Sequence, residues 1–132
     1  MFRFMLNTNI CIYVMKRKPL ELLEKFNEHS KELAISTIVL GELFLGAEKS
    51  LHIEANRREI TRFVSRMEVL SFDPSAATHY GDIRAHLERA GTPIGANDTL
   101  IGAHARSLGM TLVTNNRREF DRIPGLIVEN WV

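Results

Sequence analysis

Short apolar runs alternate with longer segments of helical periodicity, and this alternation limits the possible folds more than any other feature of the chain. Five runs have the composition of buried strands, at residues 2–6, 33–35, 69–72, 110–114 and 126–128. Strands that alternate with helices build a mostly parallel sheet with helices on both faces. We therefore expect an α/β fold with about five strands.

Local signals indicate where several helices begin and which side they bury. Pro19 suits a helix start, and Asp73 followed by Pro74 is a cap and first-turn pair that predicts a helix over 74–90. Segment 53–67 is amphipathic. Its apolar residues are expected to face the core, and they are Ile53, Ile60, Phe63, Val64 and Met67.

Three polar residues lie in apolar surroundings at positions that the expected topology brings together. Asn7 follows the first strand, and Glu42 and Asp98 are expected in the first turns of helices that Ser36 and Asn97 cap. Strand ends and the helices that follow them meet at one edge of a parallel sheet. We therefore expect the three side chains to share one cleft.

The chemistry of these side chains favours a hard cation. Acids among apolar residues are costly unless they are paired or bound to a cation, and Mg²⁺ or Mn²⁺ takes oxygen ligands. Glu42 and Asp98 would supply two carboxylates, whereas Asn7 offers an oxygen without charge. Other interpretations stay open: a turn cap for Asn7, an exposed helix residue for Glu42 and a helix-dipole acid for Asp98.

Composition is that of an ordinary globular domain, expected to span residues 1–132 as one unit. Hydrophobic residues make up 45% and charged residues 25%, with a net charge of +1. No apolar run approaches membrane-spanning length, and the single Cys11 fits a reducing compartment, so we expect a cytoplasmic protein without membrane contact. Cys11 itself is expected to be a small core residue.

Basic residues form local clusters although the net charge is small. They occur at 16–18, in the segment 57–66, and at Arg117, Arg118 and Arg122. Solvated surface is the simplest interpretation for the first two groups, with glutamates pairing across helix turns. The third group flanks Asn116 and Glu119 and is the best candidate for contacts to an RNA backbone.

An ordered set of motifs covers essentially the whole chain. It consists of Leu6-Asn7-Thr8-Asn9, Glu42 after an apolar helix start, Pro93-Ile94-Gly95-Ala96-Asn97-Asp98, and Leu112-Val113-Thr114-Asn115-Asn116 followed by Glu119-Phe120. This set resembles the PIN-domain ribonucleases, and within them the VapC-type toxins of bacterial toxin–antitoxin pairs. The family has Asp at the position of Asn7.

The resemblance implies a Mg²⁺- or Mn²⁺-dependent endoribonuclease with a PIN-like fold. The residues it implies for catalysis are Asn7, Glu42, Asp98, Asn116 and Glu119; the first three would hold the metal, and Thr8 and Thr114 would orient the carboxylates. Either Asn116 or Glu119 would complete the site. Because Asn7 replaces an acid, the resemblance also implies that this form is inactive or much weakened.

The implied partners are a VapB-type antitoxin, a structured RNA and a second copy of the chain. The RNA suggested by the enteric-type members is initiator tRNA, cut in its anticodon stem-loop. One alternative is a catalytically dead module that binds antitoxin or RNA. Another is a receiver-like phosphoacceptor, which would need an acidic pair after the first strand and a lysine near Thr114, and the chain has neither.

Overall fold

A computed structural model describes residues 2–132 and contains one sheet of five strands. The strands are β1 (Phe4–Leu6), β2 (Leu33–Ser36), β3 (Glu68–Leu70), β4 (Thr111–Val113) and β5 (Val128–Glu129). Their order is β3-β2-β1-β4-β5, and every neighbouring pair is parallel. The expected parallel α/β sheet is therefore confirmed.

Seven α-helices connect or flank the strands. They are α1 (Thr8–Met15), α2 (Leu20–Glu28), α3 (Thr37–Glu48), α4 (Ile53–Val64), α5 (Pro74–Arg89), α6 (Ala96–Ser107) and α7 (Arg117–Phe120). The predicted Asp73 cap is present, since its side chain accepts a hydrogen bond from the Ala76 N–H at 2.9 Å. Within residues 2–132, no helix is both long and apolar enough to cross a membrane.

The central strand β1 shows that both faces of the sheet are covered. Phe4, Met5 and Leu6 are all buried, although successive side chains of a strand point to opposite faces. A strand covered by helices on both faces has apolar residues at successive positions, which explains the continuous apolar run in the sequence. Cys11 is completely buried as expected, and burial raises the pKa of its thiol.

The structure corrects several predicted details. The helix expected over 53–67 ends at Val64, and Ile53 at its start is 37% exposed instead of inward. Gly95, not Asn97, is the N-cap of α6. The strand expected at 126–128 begins only at Val128, because the preceding residues follow a turn at Gly125.

Candidate active site

The pairing of β1 with β4 brings the first two polar residues of the site together. Leu6 and Val113 are register partners, so the next residues of the two strands, Asn7 and Thr114, lie side by side. The Asn7 amide donates from Nδ2 to the Thr114 hydroxyl at 3.0 Å, and only 4% of Asn7 is exposed. Parallel pairing therefore fixes Asn7 in a buried position at the sheet edge.

The side-chain oxygen of Asn7 also has a structural partner. Oδ1 accepts a hydrogen bond from the Thr8 backbone N–H at 2.9 Å, which makes Asn7 the N-cap of α1. The alternative prediction that Asn7 caps the next segment is thus confirmed. It does not exclude a role in a site, because the capped end is where the candidate carboxylates converge.

Glu42 lies farther along its helix than predicted. It is the sixth residue of α3, in the second turn instead of the first. The Thr8 hydroxyl donates to Glu42 Oε1, and the Asn97 amide donates to Oε2 at 3.2 Å. These two donors, from the first turns of α1 and α6, hold the Glu42 carboxylate between the two helices.

Asp98 and Glu119 form an acidic pair at the other side of the site. Burial raises the pKa of Asp98 to about 6, and the charge of Glu119, a hydrogen bond with Glu119 and the charge of Glu42 add to the rise. Asp98 is half-buried at the start of α6, where the helix dipole favours a negative charge. The raised pKa shows that burial and the neighbouring acids outweigh the dipole.

The Thr114 hydroxyl is the centre of a hydrogen-bond network. Besides Asn7, it accepts hydrogen bonds from the Asn116 backbone N–H at 3.0 Å and from Asn9 Nδ2 at 3.4 Å. The buried Asn9 Oδ1 has no hydrogen-bond partner within residues 2–132. Asn116 thus enters the site through its backbone, whereas Glu119 reaches Asp98 with its side chain.

The three predicted RNA-contact arginines are not equivalent. Arg117 pairs with Asp121 at 3.4 Å, and Arg122 donates to the Pro93 carbonyl at 3.2 Å. Arg118 is exposed and has no ion-pair partner in the part of the chain described, residues 2–132. Within residues 2–132 only Arg117 of the three has an acidic partner, and Arg118 makes neither an ion pair nor a side-chain hydrogen bond.

Sequence reasoning missed a buried connection behind the site. Ser36 caps α3 through the Ile38 N–H at 3.1 Å and shares a hydrogen bond of 2.8 Å with His104 Nδ1. Both residues are buried, and burial lowers the pKa of His104. The bond joins α3, which carries Glu42, to α6, which carries Asp98. A histidine within an apolar helix gives no sequence signal of such a role.

Asn9 and Asn97 are the other residues that the sequence left without a site role. Their signal was position: Asn9 follows Asn7 and Thr8, and Asn97 precedes Asp98. From the sequence, Asn97 was expected to cap α6. In the structure its side-chain amide donates a hydrogen bond to Glu42 instead. An asparagine that neighbours a candidate site residue in the sequence is therefore a candidate hydrogen-bond donor to the polar groups of that site.

The donor set fits a hard cation in chemistry but lacks one charge. Glu42, Asp98 and Glu119 present carboxylate oxygens, and the pKa of Asp98 is raised first by burial and then by the charges of Glu119 and Glu42, which a cation would offset. Yet no group of three or more His, Cys, Asp and Glu side chains in residues 2–132 has the spacing of a metal site. Position 7 holds an amide, whose oxygen caps α1 and carries no charge.

The structure gathers the carboxylates of Glu42, Asp98 and Glu119 at one edge of a parallel α/β sheet. A sequence model of the PIN domain family matches residues 4–126, and the chain belongs to that family.

Individual relatives narrow the class to VapC proteins. The chain is 51% identical to the tRNA(fMet)-specific endonuclease VapC of Salmonella typhimurium, over 99% of each chain. It is 49% identical to Ribonuclease VapC2 of Haemophilus influenzae strain Rd, over 100% of each chain. Both relatives are named as nucleases, which supports the nuclease class expected from the sequence.

Solved structures of toxin–antitoxin complexes have the same fold. The chain superposes on a chain of DNA-bound VapBC from Salmonella typhimurium with a TM-score of 0.96, at 51% identity and with 100% of each chain covered. A chain of VapBC2 from Rickettsia felis, bound to a promoter DNA fragment, gives a TM-score of 0.93 at 42% identity, covering 99% of this chain and 100% of that one.

Proposed function

We propose that this chain is the toxin of a VapBC pair, built as a metal-dependent endoribonuclease, and that Asn7 leaves this form inactive or much weakened. The hydrogen bonding of Thr114 carries the proposal. Its hydroxyl accepts from Asn7, Asn9 and Asn116, three N–H donors for two lone pairs. A carboxylate at position 7 would relieve this excess, because the hydroxyl could then donate to it.

The residues that would hold Mg²⁺ or Mn²⁺ are Glu42, Asp98 and the oxygen of Asn7. When bound, such an ion lowers the pKa of a coordinated water and offsets charge on the phosphate. Thr8 and Asn97 orient the Glu42 carboxylate toward the cleft. Oriented ligands hold a metal more tightly, and losing such a partner weakens affinity.

Glu119 is our choice over Asn116 to complete the site. Its carboxyl lies against that of Asp98 and helps burial to raise the pKa of Asp98 to about 6, so Asp98 holds a proton below that pH in the metal-free state. Asn116 contributes a backbone N–H to the Thr114 hydroxyl. A proton held by Asp98 is one that metal binding would release.

We propose tRNA as the substrate, and initiator tRNA in particular. Support comes from the 51% identity to a relative whose name specifies tRNA(fMet). Arg118 lies exposed on α7, beside Glu119, where an unpaired guanidinium can contact RNA phosphates. Cutting initiator tRNA would stop translation, which gives the chain its proposed effect on growth.

The proposed partner is a VapB-type antitoxin, with a second copy of the chain forming a homodimer in the cytoplasm. Structures of similar chains are VapBC complexes. The acidic pair of Asp98 and Glu119, whose repulsion raises the pKa of Asp98, would accept a basic antitoxin side chain in place of a metal.

Cleavage of initiator tRNA by the chain and by Asn7→Asp tests the proposal. We expect metal-dependent cleavage from Asn7→Asp with Mg²⁺ or Mn²⁺, none with EDTA, and little from the unchanged chain. The double variant Asn7→Asp/Asp98→Asn is the control and should be inactive again. Equal cleavage by the unchanged chain would show that position 7 does not need the charge.

A catalytically dead binding module is the second candidate, and the hydrogen bonds that the Asn7 amide makes through both its nitrogen and its oxygen favour it. The same experiment separates the two. If Asn7→Asp binds initiator tRNA or antitoxin but cleaves no RNA with either metal, the chain is a binding module.

A further inference from the structure

Three arginines that the proposed chemistry does not use line one surface depression. They are Arg17, just after α1, and Arg62 and Arg66, at and just beyond the end of α4. We call these three residues the basic patch. Arg17 has a positive φ of 59°, and its N–H bonds to the Val14 carbonyl at 3.0 Å, so the end of α1 holds it in place.

The charge of the basic patch is mostly uncompensated. Glu59 is the acid that lines the same depression, and it contacts Arg62 at 3.9 Å with both side chains exposed. Such a pair stabilises little and leaves the arginine available. Arg17 and Arg66 have no ion-pair partner within residues 2–132. Lys16 and Lys18 on either side of Arg17 add to the positive charge.

A continuous surface joins the basic patch to the candidate active site. A groove of about 560 Å³ is lined mostly by apolar residues, among them Ile12, Leu43 and Ile60, and it also includes Glu42, Met15, Lys16 and Glu59. Met15 and Glu59 also line the depression that contains the basic patch. A ligand bound at Glu42 can therefore extend along this groove and reach the arginines.

We infer that the basic patch binds backbone phosphates of a folded RNA, outside the nucleotides that lie at the carboxylates. Guanidinium groups match phosphate geometry, and each neutralised phosphate releases counterions. The patch lies in the neighbouring depression and not among the residues that line the groove at Glu42, so we expect an RNA to reach it with nucleotides other than those at the carboxylates. The inference rests on the proposed function, since it specifies the RNA that the same site takes.

Binding measured in EDTA, where no metal supports cleavage, tests the inference. The probes are a complete initiator tRNA transcript and an oligonucleotide of its anticodon loop alone. For the triple variant Arg17→Gln/Arg62→Gln/Arg66→Gln we expect tRNA binding to weaken by about tenfold or more, and the slope of log K against log salt to fall by about two. The loop oligonucleotide should bind the variant and the unchanged chain equally.

Two controls separate charge from folding and from general electrostatics. The triple lysine variant keeps the charge, and we expect it to recover most of the tRNA affinity. Arg89→Gln removes one exposed positive charge from α5 and should change the slope much less than the triple variant.

Three outcomes would overturn the inference. The first is unchanged tRNA affinity in the triple glutamine variant, and the second is equal weakening of both RNAs. The third is weaker binding of purified antitoxin with tRNA binding intact, which would make the patch a protein-docking surface. If the unchanged chain binds neither RNA, the proposed function fails. This outcome differs from the three above, in which the unchanged chain binds RNA and only the role of the basic patch fails.

Discussion

The two sides of the candidate site differ in how well their polar groups are satisfied. On the side of β1 and β4, the Asn7 amide is neutral, buried and hydrogen-bonded to both Thr8 and Thr114. On the side of α6 and α7, the carboxyl groups of Asp98 and Glu119 lie close together. Burial and the charge of Glu119 raise the pKa of Asp98 to about 6.

The difference shows what each side contributes to the metal-free protein. The amide side stabilises the sheet edge, since both ends of the Asn7 side chain find partners without any ligand. The acidic side carries unfavourable charge that a cation or a basic side chain would relieve. We therefore expect the acidic side to supply most of the attraction for a cation in this chain, and a charge at position 7 to add to it.

The largest expected effect, on RNA cleavage, comes from placing a negative charge on the side of β1 and β4 as well. Asn7→Asp adds the missing charge in nearly the same volume, and we expect single-turnover RNA cleavage with Mn²⁺ to rise by about a hundredfold or more. Expression of Asn7→Asp in bacteria should arrest growth. The matched control is Asn130→Asp at an exposed site, and a similar gain there would refute the role of position 7.

Breaking the amide side should cost stability. Thr114→Val removes the oxygen that accepts from Asn7 Nδ2 and the Asn116 N–H, and we expect the free energy of unfolding to fall by about 2 kcal/mol in chemical denaturation. Thr111→Val, on the same strand, is the control and should change it by less than about 0.5 kcal/mol. Equal effects would mean that the network contributes little.

Relieving the acidic side should stabilise the metal-free protein. The pKa of Asp98 rises from 3.8 to about 6 on folding, so the folded state holds more protons between these values and stability falls as pH rises through them. Because Asp98 is half-exposed, we expect Asp98→Asn to add on the order of 1 kcal/mol at pH 7.

The measurement is urea unfolding in EDTA at pH 4 and pH 7. The gain from Asp98→Asn should be present at pH 7 and much smaller at pH 4, where Asp98 is protonated in the folded state and partly protonated in the unfolded state. Glu24→Gln, at an exposed position on α2, is the control for general charge effects. A gain of equal size at both pH values would contradict the assigned cause.

The smallest expected effect distinguishes the two residues near α7. The side chain of Asn116 makes no hydrogen bond within residues 2–132, so Asn116→Ala should change cleavage by less than about twofold in an Asn7→Asp background. Glu119→Gln in that background is the comparison and should be slower by about tenfold. The reverse ranking would place Asn116, not Glu119, in the site.

Much of the architecture could be predicted because its signals are local. Buried strands read as apolar runs, and the Asp73 and Ser36 caps precede their helices as expected. The short helix α7 and the late start of β5 were missed, since single turns and two-residue strands have little sequence pattern.

By itself, the sequence determined that Asn7 and Thr114 follow strands and that Asp98 lies in the first turn of a helix, because hydrophobic periodicity is set by the nearest residues. Only the tertiary structure decided which of them touch. The β1–β4 register pairs Asn7 with Thr114, α6 brings Asn97 to Glu42, and α7 brings Glu119 to Asp98. These contacts join residues far apart in the chain, and their geometry depends on how the helices pack against the sheet.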